Sequence, residues 1–93
     1  MTKSDLIEAV AQRANLTKDK AGAVVNAIFE QMIDAMGKDE RIEIRNFGNF
    51  TVRKYDAYKG RNPKTGKAVA VAAKRMPFFK VGLELKNRVD HKA

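Results

Sequence analysis

Cysteine and tryptophan are absent from this chain of 93 residues, histidine occurs once and proline twice. Without cysteine, neither a disulfide nor a thiolate metal site can brace the fold, and a reducing, intracellular setting is expected. A domain of this length buries only about 60 to 65 % of the surface its unfolded chain exposes, so its core is thin and a partner subunit is expected to supplement it. No apolar run approaches the roughly 18 residues of a spanning helix, and the opening "MTKSDLIEAV" lacks the basic start and long apolar stretch of a signal peptide. The expectation is a soluble cytoplasmic protein with no membrane partner and no cofactor.

Catalytic constellations are missing too. His91, the single histidine, stands in a polar carboxyl-terminal tail with no identifiable partner, so a solvated side chain is expected rather than a base or ligand. The stretch "GRNPKTGK", Gly60 to Lys67, has five residues between its glycines where a phosphate-cradling P-loop has four, and no Ser or Thr follows its last lysine. Neither an enzyme nor a metal site is expected.

What the chain has in excess is positive charge, +8 in all, and it is unevenly placed. Residues 1–46 carry seven Lys/Arg against eight Asp/Glu, whereas residues 47–93 carry twelve against three. Arg53, Lys54, Lys59, Arg61, Lys64, Lys67, Lys74, Arg75 and Lys80 face a single acid, Asp56, within residues 53–80. Lysines that merely protect a strand edge come with mixed signs, so this density points to a phosphate-bearing polyanion.

Periodicity places those charges. Leu6, Ile7, Val10 and Ala14 recur at helical spacing behind Thr2 and Asp5, a cap pair that predicts a helix ending near Asn15. A second helix is predicted after Thr17, running through Val24, Val25, Ile28, Phe29, Met32, Ile33 and Met36 to Gly37. Its apolar stripe is too wide for two helices to cover, and Glu30 and Asp34 on its surface exclude a basic recognition helix. "RIEIR" then alternates, with Ile42 and Ile44 inward, and a turn is expected at Asn46 to Asn49 before Phe50 and Val52 resume the inward set. Runs near Thr51–Tyr58 and Lys67–Met76 predict a projecting hairpin connected by "GRNPKTG", ended by Pro77. Phe78 and Phe79 are expected to return the chain to the apolar body, and a last short helix to carry Leu85 and Val89 inward. Phe29, Met32, Phe47, Phe50 and Phe79 are the candidate dimer core. Tyr55 and Tyr58, on the basic ribbon, are open between base contact and cross-strand packing. Pro63 on its own reads as a turn-former, and only its basic flanks at a projecting tip give it a second role.

"MTKSDLIE", the "FGNF" turn, the "GRNPKTG" tip and "PFFKVG", in this order over essentially the whole chain, resemble the HU and integration host factor family of bacterial nucleoid proteins. The resemblance implies an α+β fold in which two chains intertwine, with a helical base, a saddle of strands and two β-ribbon arms. It divides residues 1–93, one domain, into a dimerisation base and first strand (1–46), saddle and arm (47–82), and a carboxyl-terminal helix and tail (83–93). It also implies a non-enzymatic, nucleoid-associated protein that bends duplex DNA through the minor groove with little sequence specificity, binding RNA only secondarily. Pro63 would be the intercalating wedge, with Arg61 and Asn62 beside it in the groove. Phosphates would be met by Lys3, Arg53, Lys54, Lys59, Lys64, Lys67, Lys74, Arg75, Lys80 and Lys86.

Three positions depart from the family pattern. Tyr55 and Tyr58 stand where arm arginines are usual, and Leu83 where lysine is usual. Glu43 and Arg45 match a sequence-reading pair of the integration host factor beta chain, or else form a plain surface ion pair. A homodimer is expected. The alternatives are a sequence-selective subunit paired with a different chain, and a basic module for acidic protein or membrane surfaces.

Overall fold

Thr2 starts the first helix as its sequence predicts. In the computed structural model, which describes residues 1–91, the Thr2 hydroxyl accepts from the Asp5 amide at 3.2 Å and the Asp5 carboxylate accepts from the Thr2 amide at 2.9 Å. This reciprocal cap opens α1, Lys3–Arg13, and Asn15 leaves it in the left-handed region at φ 55°. Thr17 caps α2, Lys18–Gly37, by accepting from the Lys20 amide at 3.3 Å. The helices meet through Ala11, Ala21 and Val25, the only buried apolar residues among those described, with Ile7 lying against Gly22. Small side chains allow close approach but bury little surface. No helix among the described residues is long and apolar enough to cross a membrane.

Beyond α2 the strands are β1 (Ile42–Ile44), β2 (Gly48–Tyr55), β3 (Tyr58–Arg61), β4 (Ala68–Val71) and β5 (Lys74–Val81), followed by α3 (Leu83–Asp90). One antiparallel sheet has the order β1-β2-β5, and β3 with β4 forms a separate two-stranded ribbon. Tyr55 pairs with Lys74 and Tyr58 with Val71, so the register is unchanged across the unpaired residues 56–57 and 72–73. The two sheets are therefore one long hairpin, interrupted midway without a bulge.

Several boundaries differ from expectation. The first turn occupies residues 45–47 rather than 46–49, because Asn46 adopts φ 68° and closes a three-residue connection, with the Phe47 amide donating to the Ile44 carbonyl. Gly48 is thereby freed from the turn and begins β2 instead. Pro77 does not end the ribbon but lies within β5 opposite Val52, on the outer strand of the sheet, where a missing N–H is tolerated. Gly60 and Arg61 belong to β3, not to the tip. Val89 is 78 % exposed rather than inward, because α3 in a single chain offers it nothing to pack on, whereas Leu85 is half-buried as expected. Of the expected tail, residues 92 and 93 lie outside the described residues.

The single chain is not a self-sufficient core. Its accessible surface is 8215 Å² and its radius of gyration 19.0 Å, against about 5,400 Å² and about 12 Å for a compact protein of this size. Much of the excess is apolar: Ile28, Phe29, Ile33, Phe47, Phe79 and Leu83 are all substantially exposed. A partner chain is what such a surface requires.

Candidate nucleic-acid interface

Strand alternation sorts the charges onto two faces. Paired residues of an antiparallel sheet share a face, so Phe50 with Phe79, Val52 with Pro77, and Lys54 with Arg75 lie on one side. Asn49 with Lys80, Thr51 with Phe78, Arg53 with Met76, and Tyr55 with Lys74 lie on the other. The first side faces the helices. Phe79 packs against Phe50 and Phe47 with ring centroids 4.7 and 5.7 Å away. A Cβ added at Gly48 would stand 2.5 Å from the Phe79 ring and 2.6 Å from the Lys80 carbonyl, so glycine is what lets that ring settle. Three of the five candidate dimer-core residues are thus brought together, while Phe29, on α2, is left 40 % exposed and Met32 half-buried.

Lys54 and Arg75 lie on this inner side and are engaged there. The Arg75 guanidinium donates to the carbonyls of Met36 and Gly37, each at 3.1 Å, and to the Asp39 carboxylate. Lys54 approaches the same carboxylate at 3.4 Å. Asp39 can turn back toward them because it sits just past α2 with φ 61°. Arg75 satisfies two of the last carbonyls of α2 and, with Lys54, places positive charge at the negative end of that helix, so the root of the arm is tied to the helical base. The hydrogen bond from Arg75 holds the Asp39 carboxyl below its ordinary value of 3.8, with partial desolvation opposing and Lys54 adding to the effect.

A depressed carboxylate pKa contributes stability above the ordinary value and loses it as pH falls through the depressed one. Asp39→Asn is therefore expected to lower the melting temperature by a constant amount from pH 7 down to about pH 5, the gap closing only below about pH 4. Melting curves of both proteins across that range check this. A gap that closes between pH 7 and pH 5 would contradict it.

The outer side carries the open charges. Arg53 and Lys80 have no carboxylate partner among the described residues. Lys74 approaches the Tyr55 ring, its ammonium 5.9 Å from the centroid. By the unbroken register, Lys59 and Arg61 continue this parity into the distal ribbon opposite Ala70 and Ala68. Tyr58 has the other parity. A Cβ at position 60 would stand 3.6 Å from its ring and 3.8 Å from a methyl of Val71, its cross-strand partner, while the tyrosine itself is 59 % exposed. The two tyrosines that sequence left open are separated by the pleat.

The tip is small and internally bonded. The Asn62 amide donates to the Lys67 carbonyl at 2.9 Å, and its own carbonyl accepts from the Gly66 amide at 2.7 Å. Its side-chain oxygen accepts from the Lys64 amide at 2.9 Å, and Gly66 closes the loop at φ 70°, a conformation that favours glycine. Pro63 is left exposed at the apex, between Arg61 and Lys64, and among the described residues no hydrogen bond or ion pair joins residues 62–67 to the body. Asn62 accordingly shapes the tip with its oxygen and keeps its side-chain N–H groups as donors.

The remaining candidates are dispersed. Lys3 donates to Asn26 of α2 at 2.9 Å, Lys86 is exposed on α3, and Arg45 is exposed in the first turn. Glu43 pairs with Arg41 at 2.9 Å, and of the two alternatives left open for Glu43 and Arg45, a plain ion pair between them is not formed among the described residues. Arg41 and Asn49 join the outer face although neither was a candidate. Alternation of "RIEIR" already put Arg41 on the wet side, but only the register with β2 shows what it stands beside.

The family described as bacterial DNA-binding protein matches residues 1–90 of the chain. The chain is 48 % identical over 89 residues to the DNA-binding protein HU of Staphylococcus aureus strain COL, an alignment covering 96 % of this chain and 99 % of that protein. Among solved structures it is similar to Anabaena HU in a cocrystal with DNA, at 37 % identity and a TM-score of 0.86, over 96 % of this chain and 97 % of that one. HU from Thermotoga maritima is also similar, at 27 % identity and a TM-score of 0.66, over 96 % and 98 %.

Proposed function

Because this chain belongs to the family of bacterial DNA-binding proteins that includes HU, we propose that it is an architectural protein whose homodimer grips duplex DNA in the minor groove and bends it. The carrying observation is the arm itself: a ribbon with cations of one sign, free of the body and ending in an exposed proline on a tightly bonded turn. In this reading the apolar Pro63 ring enters a base step, and rigidity matters because a preformed tip loses little freedom on insertion. Unstacking costs about a few kcal/mol per step, and the phosphate contacts reached by a bent duplex offset it. The Asn62 side-chain N–H groups and Arg61 then face the acceptors of the groove floor, which differ little between A·T and T·A pairs, so weak sequence preference follows. We place the protein in the cytoplasm on the nucleoid, acting without catalysis.

Groove choice tests this reading directly. A minor-groove ligand of the distamycin class is expected to displace the protein from a short duplex, whereas glucosylated hydroxymethylcytosines, which fill the major groove, should change affinity less than about twofold. Displacement by the sugars and indifference to the ligand would overturn it.

A further inference from the structure

Phe78 and Phe79 are adjacent in β5, so only one of them can face the helices. Phe79 does. Phe78 lies on the outer side, half-buried, and the Arg53 guanidinium carbon is 3.4 Å from its ring centroid. The register explains the contact: Thr51 is directly opposite Phe78 and Arg53 opposite Met76, so arginine and ring are diagonal neighbours on one face. A guanidinium stacked flat on a ring keeps its N–H donors directed outward in the plane, open to a second partner.

The surroundings give that partner a chemistry. A shallow concavity is lined by Arg41, Asn49, Thr51, Arg53, Phe78 and Lys80. Arg41 is held by Glu43, and with the Asn49 amide turned to present its oxygen, Asn49 accepts from Arg41 at 3.1 Å. Arg53 and Lys80 are the cations left open there, with the Thr51 hydroxyl between their strand positions. We infer that Phe78 is a positioning residue: its ring holds the Arg53 guanidinium flat on the outer saddle face, so that Arg53 and Lys80 together address one phosphate group of the duplex. This rests on the DNA-binding reading and adds to it a residue that touches no DNA. An arginine on a flexible stem would lose rotamer freedom on meeting a phosphate, whereas one already stacked has lost most of it beforehand.

Duplex affinity and its salt slope, measured for the dimer with Phe78→Ala, Phe78→Leu, Phe78→Tyr and Arg53→Ala, test the inference. Arg53→Ala is expected to weaken binding at least threefold and to lower the slope by up to about two, one phosphate for each chain. Phe78→Ala and Phe78→Leu are expected to weaken it about threefold to tenfold and to lower the slope in the same direction, while Phe78→Tyr keeps wild-type behaviour. Added to Arg53→Ala, Phe78→Ala should cost nothing further. Thermal melts separate these effects from folding, since leucine fills much of the ring's place without offering a π face. Additive losses, or an unchanged slope in Phe78→Leu, would overturn the role of Phe78 while leaving a salt-dependent wild type intact. A wild type that fails to bind duplex at all would remove both readings together.

Discussion

Raising salt from about 50 to 200 mM is expected to weaken duplex binding by about 10³- to 10⁵-fold, the loss that accompanies six to ten neutralised phosphates. The fold leaves more than enough charges open to supply that count. Arg53, Lys59, Arg61, Lys64, Lys67, Lys74 and Lys80 have no carboxylate partner among the described residues, and a dimer presents each of them twice. Lys54 and Arg75 are excluded from it because they face Asp39 and the end of α2. Lys59→Ala should therefore lower the slope by up to about two per dimer, and Lys54→Ala should leave it nearly unchanged. Equilibrium titrations at four or five salt concentrations measure both slopes. A nearly flat dependence for the wild type would contradict phosphate neutralisation as the main source of affinity, and a large change for Lys54→Ala would contradict the division into two faces.

Phe79→Ala is expected to cost about 3–5 kcal/mol of stability, the range for removing a large core aromatic. The ring is 37 % exposed in one chain, yet it stacks on two other phenylalanines and occupies the space that Gly48 leaves. A partner chain covering the apolar surface around it turns that ring into true core. Gly48→Ala should reproduce part of the loss, about 1–3 kcal/mol, because one of the atoms its Cβ would meet is a backbone carbonyl that cannot swing aside. Denaturant unfolding at several protein concentrations checks both, and the midpoint should rise with concentration if the folded unit is the dimer. A loss below about 1 kcal/mol for Phe79→Ala would place the aromatic cluster outside the core.

The helices were legible because their signals are local: Thr2 with Asp5, and Thr17, mark their starts, and the apolar period continues until each ends. The strands were legible as strands, since Ile42 and Ile44 alternate with charge. Their register was not, and a slip of one residue exchanges the two faces of a sheet. Phe79 faces inward because the β2–β5 register sets it opposite Phe50, while Phe78 falls opposite Thr51 on the other face. The same limit explains Lys54 and Arg75. Charge density counts them with the phosphate ligands and gives no sign of Asp39, which lies 36 residues from Arg75 along the chain and meets it only through folding. Pro77 was misplaced for a related reason, because a proline that would break an inner strand is harmless on an outer one, and strand order is a tertiary fact.

Ring closure of DNA fragments shorter than the persistence length of about 150 base pairs tests the central claim most directly, since such fragments cyclise only when bent. The wild-type dimer is expected to raise the closure rate strongly. Pro63→Ala should bind with nearly the same affinity and close far fewer rings. If saturating wild-type protein leaves closure unchanged, or if the proline-free tip closes rings equally well, then arms that bend DNA by wedging their prolines into it are not what this protein has.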